Sequence, residues 1–416
     1  MKRWTGKMHV NKELYLAAPR PHVAVYAGGQ CYTQAAGTEL IESVRLEARN
    51  PKPAPNTFGY YTPESYQRLS EDNGRTWQIM GPRYYEDDPS RPGEFEYPPS
   101  FFRDPDNGAI IKFVLKMENR PEWNHPESFS DAGTYGRSQR LFYGISHDRA
   151  RTWGPLKQVI AGGSEFNAEH WGPGLYYGQN GGQPGSISKL NDGTLLNAIT
   201  VNLFDGNRYQ SGFLRGRWNA DNSDLQWEFS DYIRMEATQS SQGCCESAPA
   251  LLSDGRIILS LRCCGDRETK KFPSRRYGVM SEDGGRTFSA PKPLTYEDGA
   301  PVWCPSSYAQ IWRASVNGRY YWIGNILDAP TYDSSPRYPL CIAELIPEQG
   351  VLIKDSVTII DTKPDDFSEA GRRRYTNFGM YEDRQTSELV LTLPEQPKTD
   401  WADFTADCYR YRIRVA

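Results

Sequence analysis

The sequence predicts an all-β protein, a six-bladed β-propeller with seven blades as the variant. Three observations carry this: a repeated eight-residue turn motif, a series of hairpin signals at regular steps, and a strand-like C-terminus. The motif reads Ser70-Glu71-Asp72-Asn73-Gly74-Arg75-Thr76-Trp77 and returns at Ser146–Trp153 and Ser281–Phe288. Its frame is Ser-x-Asp-x-Gly-x-Thr-aromatic, with Ala150 in the Gly place of the second copy. The Asp accepts N–H groups of its own turn, the Gly supplies a positive φ, and the ring fills the layer between neighbouring sheets. A fourth, decayed copy spans Asp221 to Trp227.

The hairpin series runs through Asn107-Gly108, Asp192-Gly193, Asp254-Gly255 and Asn317-Gly318, each before an apolar strand, with Thr386-Ser387-Glu388 as a weaker member. Asn-Gly and Asp-Gly are the strongest short hairpin signals. One more hairpin is placed at Gly28-Gly29, giving six units of about 60–85 residues, each longer than a WD40 blade. Six sheets arranged radially bury both faces of every blade and leave only short edges. Residues 1–416 are then one propeller domain, closed by the alternating strand near 409–415, Tyr409 to Val415. A sandwich or two smaller β domains leave the regular step unexplained.

Composition agrees. With 37 Gly and 30 Pro, long helices are broken, and 26 Tyr and 11 Trp suit pleated surfaces. Lys+Arg 48 against Asp+Glu 52 leaves a net charge of -4, so no global basic field is available for nucleic acid. No stretch approaches the ~20 apolar residues of a membrane span. Met1 to Asn11 is basic but lacks an apolar run, so no secretory leader is visible. The expectation is a cytoplasmic protein, or a secreted or periplasmic one if a leader has been removed. Eight cysteines are too few for a disulfide scaffold. The vicinal pairs Cys244-Cys245 and Cys263-Cys264 lack the C-x2-C spacing of zinc sites, so buried thiols are expected, with no metal and no cofactor.

The Ser-x-Asp-x-Gly-x-Thr-Trp repeat on a propeller resembles the Asp-box (BNR repeat) signature of the sialidase (neuraminidase) superfamily, along nearly the whole chain. Asp boxes also occur in lyases, other glycosidases and binding propellers, so the chemistry rests on other residues. The resemblance implies an exo-glycosidase that releases a terminal acidic sugar. Three arginines hold the carboxylate, a Tyr attacks, a Glu activates it, and an acid protonates the leaving oxygen. A carboxylate nucleophile would be repelled by the sugar's own carboxylate, whereas a neutral Tyr is not. The Glu is needed because free Tyr, with a pKa near ~10, is a poor nucleophile at neutral pH. Guanidinium forks give bidentate, permanent charge recognition.

Residue by residue, Glu246 to Arg262 is similar to the family's strand-hairpin-strand, with the base at one end and an arginine of the triad at the other. An antiparallel hairpin brings both ends to one edge. Tyr375 opens Tyr375 to Asp383, similar to the nucleophile strand, although a ring packed at a blade mouth fits it equally well. Arg337 stands where the third arginine belongs, with Arg313 and Arg372 to Arg374 as rivals. Arg20 in Pro19-Arg20-Pro21 replaces the family's Arg-Ile-Pro in a different residue order. The family's acid is an Asp between that arginine and the first repeat, but no Asp precedes Asp72. Glu39, Glu42 and Glu47 fill the segment, and Glu42 is taken as the proton donor on the condition that burial raises its pKa; solvated surface carboxylates fit the same pattern.

Two other classes fit. A lyase acting on a uronate-containing polysaccharide would use Arg to neutralise the carboxylate and His or Tyr as base, with His125 and His170 as candidates. The run from Trp171 to Gly185 suits a loop that stacks on sugar rings, so His170 and Trp171 join the substrate-binding candidates. The third class is a carbohydrate-binding propeller without turnover. In every case the expected partner is a carbohydrate with a carboxylate group.

Overall fold

The computed structural model describes residues 8–49, 60–84, 93–119, 137–176, 183–203, 209–365, 373–396 and 404–415. Its strands form six blades around one axis, each an antiparallel meander. The first blade runs through Val23–Tyr32, Leu40–Arg49, Tyr60–Ser70 and Gln78–Tyr84. The second runs through Gly93–Arg103, Ile110–Asn119, Arg137–Ser146 and Lys157–Gln158. The third has Gln183–Lys189, Leu195–Val201, Gln210–Trp218 and Leu225–Phe229, and the fourth Cys244–Leu251, Ile257–Cys263, Arg275–Ser281 and Lys292–Pro293. In the fifth, Gln310–Arg313, Tyr320–Asn325 and Leu340–Ile346 are followed by two short strands, Val351–Leu352 and Thr358–Asp361, that both pair with the third. Among the described residues no helix is long and apolar enough to cross a membrane.

The sixth blade joins the two ends of the chain. Gly379–Glu382, Leu389–Pro394 and Cys408–Arg414 come from the C-terminal side, and His9–Leu16 from the N-terminal side. The last two pair from His9 against Arg414 to Leu16 against Cys408. The C-terminal strand lies third in this blade, and the N-terminal strand covers its outer edge.

The Asn-Gly and Asp-Gly signals each join a first strand to a second, with Gly108, Gly193, Gly255 and Gly318 at φ between +70° and +89°. Gly28-Gly29 does not make the expected hairpin. It lies inside Val23–Tyr32 at a register slip, and the turn falls later, at 33–39. A Cβ on Gly29 would come within 2.9 Å of Pro99 O in the second blade, so the residue answers a close approach of two inner strands.

The repeated motif forms the turn after the third strand of the first, second and fourth blades. Asp72 Oδ1 accepts from Ser70 Oγ at 2.8 Å, Arg75 N at 3.0 Å and Thr76 N at 2.8 Å. Phe288, the ring of the third copy, packs 5.8 Å from Phe213 in the neighbouring blade. The decayed copy occupies the same place in the third blade, where Asp221 Oδ1 accepts from Ser223 N at 3.1 Å.

The core lies in layers between adjacent blades. Leu196, Phe213, Leu259 and Val279 fill the layer between the third and fourth, and Ile323, Ile342, Leu391 and Tyr411 that between the fifth and sixth. Burying each such side chain contributes about 1.5–3 kcal/mol. All eight cysteines are free thiols, and only Cys31 and Cys245 are partly exposed. In an antiparallel meander the start of the first strand, the end of the second and the start of the third share one edge. One face of the ring therefore gathers polar residues from segments distant in the chain.

Candidate active site

In the fourth blade, Cys245 pairs with Arg262 and the register then slips until Ala248 meets Ser260. Glu246 sits in that bulge at φ +41°, an uncommon conformation for a residue with a Cβ. Its N–H donates to Thr200 Oγ1 of the third blade at 3.0 Å, which holds the bulge in place. The bulge aims the side chain so that Oε2 accepts from Arg262 Nη1 at 2.6 Å. Arg262 Nε donates to Ser306 Oγ at 3.1 Å, on the segment entering the fifth blade.

Two further arginines act on Glu246. Arg276, buried at the start of the third strand, donates to Ser260 Oγ, Ser260 O and Ser307 O at 3.2, 2.8 and 3.0 Å. Arg337, before the third strand of the fifth blade, donates from Nε to Ser334 O at 2.9 Å. Burial pushes the Glu246 carboxyl up, but Arg262, Arg337 and Arg276 outweigh it and hold the group below the usual carboxylate range. Tyr308 is also within electrostatic reach of Glu246. Its oxygen accepts from Gln310 Nε2 at 2.5 Å, and burial pushes the phenol up to about 12.

Arg337 pairs through its backbone with Arg374, and Tyr375 N donates to Arg337 O at 3.0 Å. Arg374 in turn acts on Glu47, near the end of the second strand of the first blade. Glu47 accepts from Tyr26 Oη at 3.4 Å and lies 3.5 Å from Arg45 Nη2. Here burial wins: it raises the Glu47 carboxyl above its ordinary value in spite of Arg45, Tyr26 and Arg374. Two carboxyl groups with opposite shifts thus flank the Arg337 and Arg374 pair.

Glu246, Arg262 and Arg337 come together as the sequence suggests; the other candidates do not join them. Tyr375 has its backbone against Arg337, but its ring is fully buried between the fifth and sixth blades. Its hydroxyl donates to Glu395 Oε1 at 3.1 Å and Thr362 O at 3.0 Å, not to Glu246. Glu42 does have a raised pKa through burial, but it is closed off from the mouth, accepting from Arg68 Nε at 2.6 Å, Tyr15 Oη at 2.9 Å and Gln30 Nε2 at 3.0 Å. It is fully buried and pairs with Arg68 inside the first blade. Glu39 pairs with Arg151 at the other end of the same strand.

Arg20 is exposed in the loop before the first blade, and the arginines that act most on Glu246 are the three named above. Trp171 is 1% exposed, packed on Phe229 of the third blade's outer strand, so no face is open to a sugar. His170 stacks on Tyr176 at 4.2 Å, with Nδ1 3.2 Å from Glu165 O, on the same peripheral hairpin. His125 lies outside the described residues. Arg313 is exposed at the opposite end of its strand. The residues that the sequence did not single out are Arg276 and Tyr308; Arg374 entered only as a rival of Arg337, and Glu47 only as one of three early glutamates. Of these, Glu47 carried a signal, since among the three early glutamates it alone sits within reach of the strand end that feeds the mouth.

Comparison of the structure with solved proteins finds enzymes of this shape. The NanB sialidase of Streptococcus pneumoniae aligns over 99% of this chain and 70% of its own at 12% identity, with a TM-score of 0.60. An α-L-arabinanase of Penicillium chrysogenum aligns over 97% of both chains at 12% identity and a TM-score of 0.55. The intramolecular trans-sialidase of Ruminococcus gnavus covers 96% of this chain and 95% of its own, also at 12% identity, with a TM-score of 0.52. The likeness is one of fold. No family model matches the sequence, and no curated protein matches it. The shared shape is a six-bladed propeller, and at these identities the chemistry has to be argued from this chain's own side chains.

Proposed function

We propose that the protein is a glycoside hydrolase acting on a carboxylate-bearing sugar at the mouth formed by Glu246, Glu47 and the arginines. The observation that carries the reading is a pair of carboxyl groups beside the joined Arg337 and Arg374 segments with opposed shifts: guanidinium groups hold Glu246 below the usual carboxylate range, and burial raises Glu47 above its ordinary value. Acid and base roles on one site need that division. Arg262, Arg276, Arg337 and Arg374 outnumber the two carboxyls, which leaves positive charge for the substrate's carboxylate. Fold neighbours that include sialidases and an arabinanase support a glycosidase.

In this reading Glu47 gives its proton to the leaving-group oxygen as the glycosidic C–O bond breaks. Tyr308 passes its phenolic proton to Glu246 while its oxygen bonds to the anomeric carbon. A water that loses its proton to Glu47 then displaces the phenolic oxygen, and Glu246 returns the proton to Tyr308. Tyr308 takes the part expected of Tyr375, because its oxygen already accepts an amide donor and Glu246 lies within its electrostatic reach.

The test is a panel of aryl glycosides and polysaccharides bearing sialic acid, uronic acid or arabinofuranose, with products identified by mass spectrometry. Release of an acidic monosaccharide by the protein, lost in Glu246→Gln, is the expected outcome. An unsaturated product absorbing in the ultraviolet assigns a lyase instead. Free arabinose moves the substrate to a neutral sugar, and binding without turnover makes the protein a lectin.

A further inference from the structure

Beneath the mouth lies a side chain that touches none of the ionised groups yet ties together three loops that carry or contact the arginines. Asn325, the last residue of the fifth blade's second strand, is 1% exposed. Its Oδ1 accepts from Ser307 Oγ at 2.8 Å, and its Nδ2 donates to Pro339 O and Tyr375 O, each at 3.1 Å. These three bonds reach three separate loops. The first holds Ser306, which accepts from Arg262, then Ser307, whose carbonyl accepts from Arg276, and then Tyr308. The second carries Arg337 two residues before Pro339. The third carries Arg374 next to Tyr375 and is bridged to Arg337 through its backbone.

We infer that Asn325 is a positioning residue whose single carboxamide sets the placement of Arg262, Arg276, Arg337 and Arg374 around Glu246 by cross-tying the 306–308, 337–339 and 374–376 loops. The chemistry suits an amide better than any other side chain of this size. One acceptor and two donors meet one hydroxyl and two carbonyl oxygens, and every polar atom of the group is used. A carboxylate there would face two carbonyl oxygens without a donor, and an alkyl group would leave both carbonyls unpaired in a buried place. Loops are otherwise the most mobile part of a propeller, so a rigid buried tie is what keeps charged side chains at fixed distances. The inference deepens the glycosidase reading but rests on it only for its kinetic consequence, because Glu246 titrates whether or not a sugar is hydrolysed.

The experiment uses the full chain with 13C-carboxyl-labelled glutamate. The Glu246 resonance is assigned by its loss in Glu246→Gln and followed against pH by NMR in the wild type, Asn325→Ala and Ser307→Ala. Displacing the arginines removes the influence that holds the carboxyl down, so the Glu246 midpoint rises by about one unit in Asn325→Ala. It rises less in Ser307→Ala, where both amide donors survive. N-acetylneuraminic acid, used as the carboxylate probe, binds about tenfold more weakly to Asn325→Ala, matching that shift. A Glu246 titration unchanged in folded Asn325→Ala overturns the inference. If Asn325→Ala does not fold, an unchanged titration in Ser307→Ala overturns it instead. A protein that hydrolyses nothing but shows the Glu246 shift would end the glycosidase reading and leave the positioning role standing.

Discussion

Glu246 and Arg262 face each other across the two ends of one hairpin, Oε2 to Nη1 at 2.6 Å, with side chains 17% and 19% exposed. A pair this shielded gains little over an apolar replacement, but breaking it strands a charge. Arg262→Ala is therefore expected to cost about 3 kcal/mol, the low end for a buried pair given the remaining exposure. Arg262→Lys, which keeps the charge and loses the fork, should fall in between. The pH dependence has a definite sign. The folded Glu246 pKa lies below its unfolded value, so the pair's contribution is present above about pH 4.3 and is lost as pH falls through the folded value. Urea unfolding at neutral and acidic pH should show the gap between wild type and Arg262→Ala closing in acid.

Glu47 predicts the other limb of the rate profile. If Glu246 must be ionised and Glu47 protonated, activity rises through the lowered pKa of the first and declines through the raised pKa of the second. Glu47→Gln should remove the alkaline decline and reduce turnover of a natural glycan by about 10²–10⁴. A nitrophenyl glycoside, whose leaving group departs without a proton, should lose far less. An alkaline limb that survives the substitution would exclude Glu47 as the acid.

The ring was legible because its signals are local. Asp72, Asp148 and Asp283 each bond their own turn, and Asn107-Gly108 or Asp254-Gly255 fix a hairpin without help from the rest of the chain. The pairing of Glu246 with Arg262 was legible for the same reason, since a hairpin sets it. The direction of the Tyr375 ring was not legible, because spacing places a ring at a blade entrance without deciding whether it points to the axis or, as here, between the blades. Its hydroxyl found Glu395, twenty residues on, where a carboxylate already collects Arg373 and Lys12. Glu42 and Glu47 lie five residues apart on one strand. Only the position of Arg68, Tyr15 and Gln30 around the first shows that it is committed to a buried ion pair.

The repeated turn is expected to be a stability device with no part in turnover. Asp283 accepts from Ser281 Oγ, Arg286 N, Thr287 N and Thr287 Oγ1 at 2.9, 3.0, 3.0 and 2.6 Å. Burial pushes its carboxyl up, but the bonds from Thr287, Ser281 and Arg286 prevail and bring it down to about 2. Asp283→Ala should lower stability by about 1–3 kcal/mol at neutral pH. The sign follows from a depressed folded pKa: the difference from wild type should shrink between about pH 4 and the folded value near 2. Kinetic constants at neutral pH should be unchanged.

Tyr375 and Tyr308 make opposite predictions under one substitution. Tyr375→Phe removes a hydroxyl from Glu395 and Thr362 O in a buried layer, which should cost about 1–2 kcal/mol and leave turnover close to wild type. Glu395 keeps Arg373 at 2.9 Å and Lys12 at 3.1 Å, so the carboxylate is not stranded. Tyr308→Phe removes the attacking oxygen and should cut turnover at least about a hundredfold, with an unfolding midpoint shifted little, since only Gln310 Nε2 loses its acceptor. Thermal unfolding and single-turnover kinetics on both variants separate the two roles. If Tyr375→Phe abolishes turnover while Tyr308→Phe retains it, the phenol now seen between the blades must swing to the mouth during the reaction, and the assignment of Tyr308 fails.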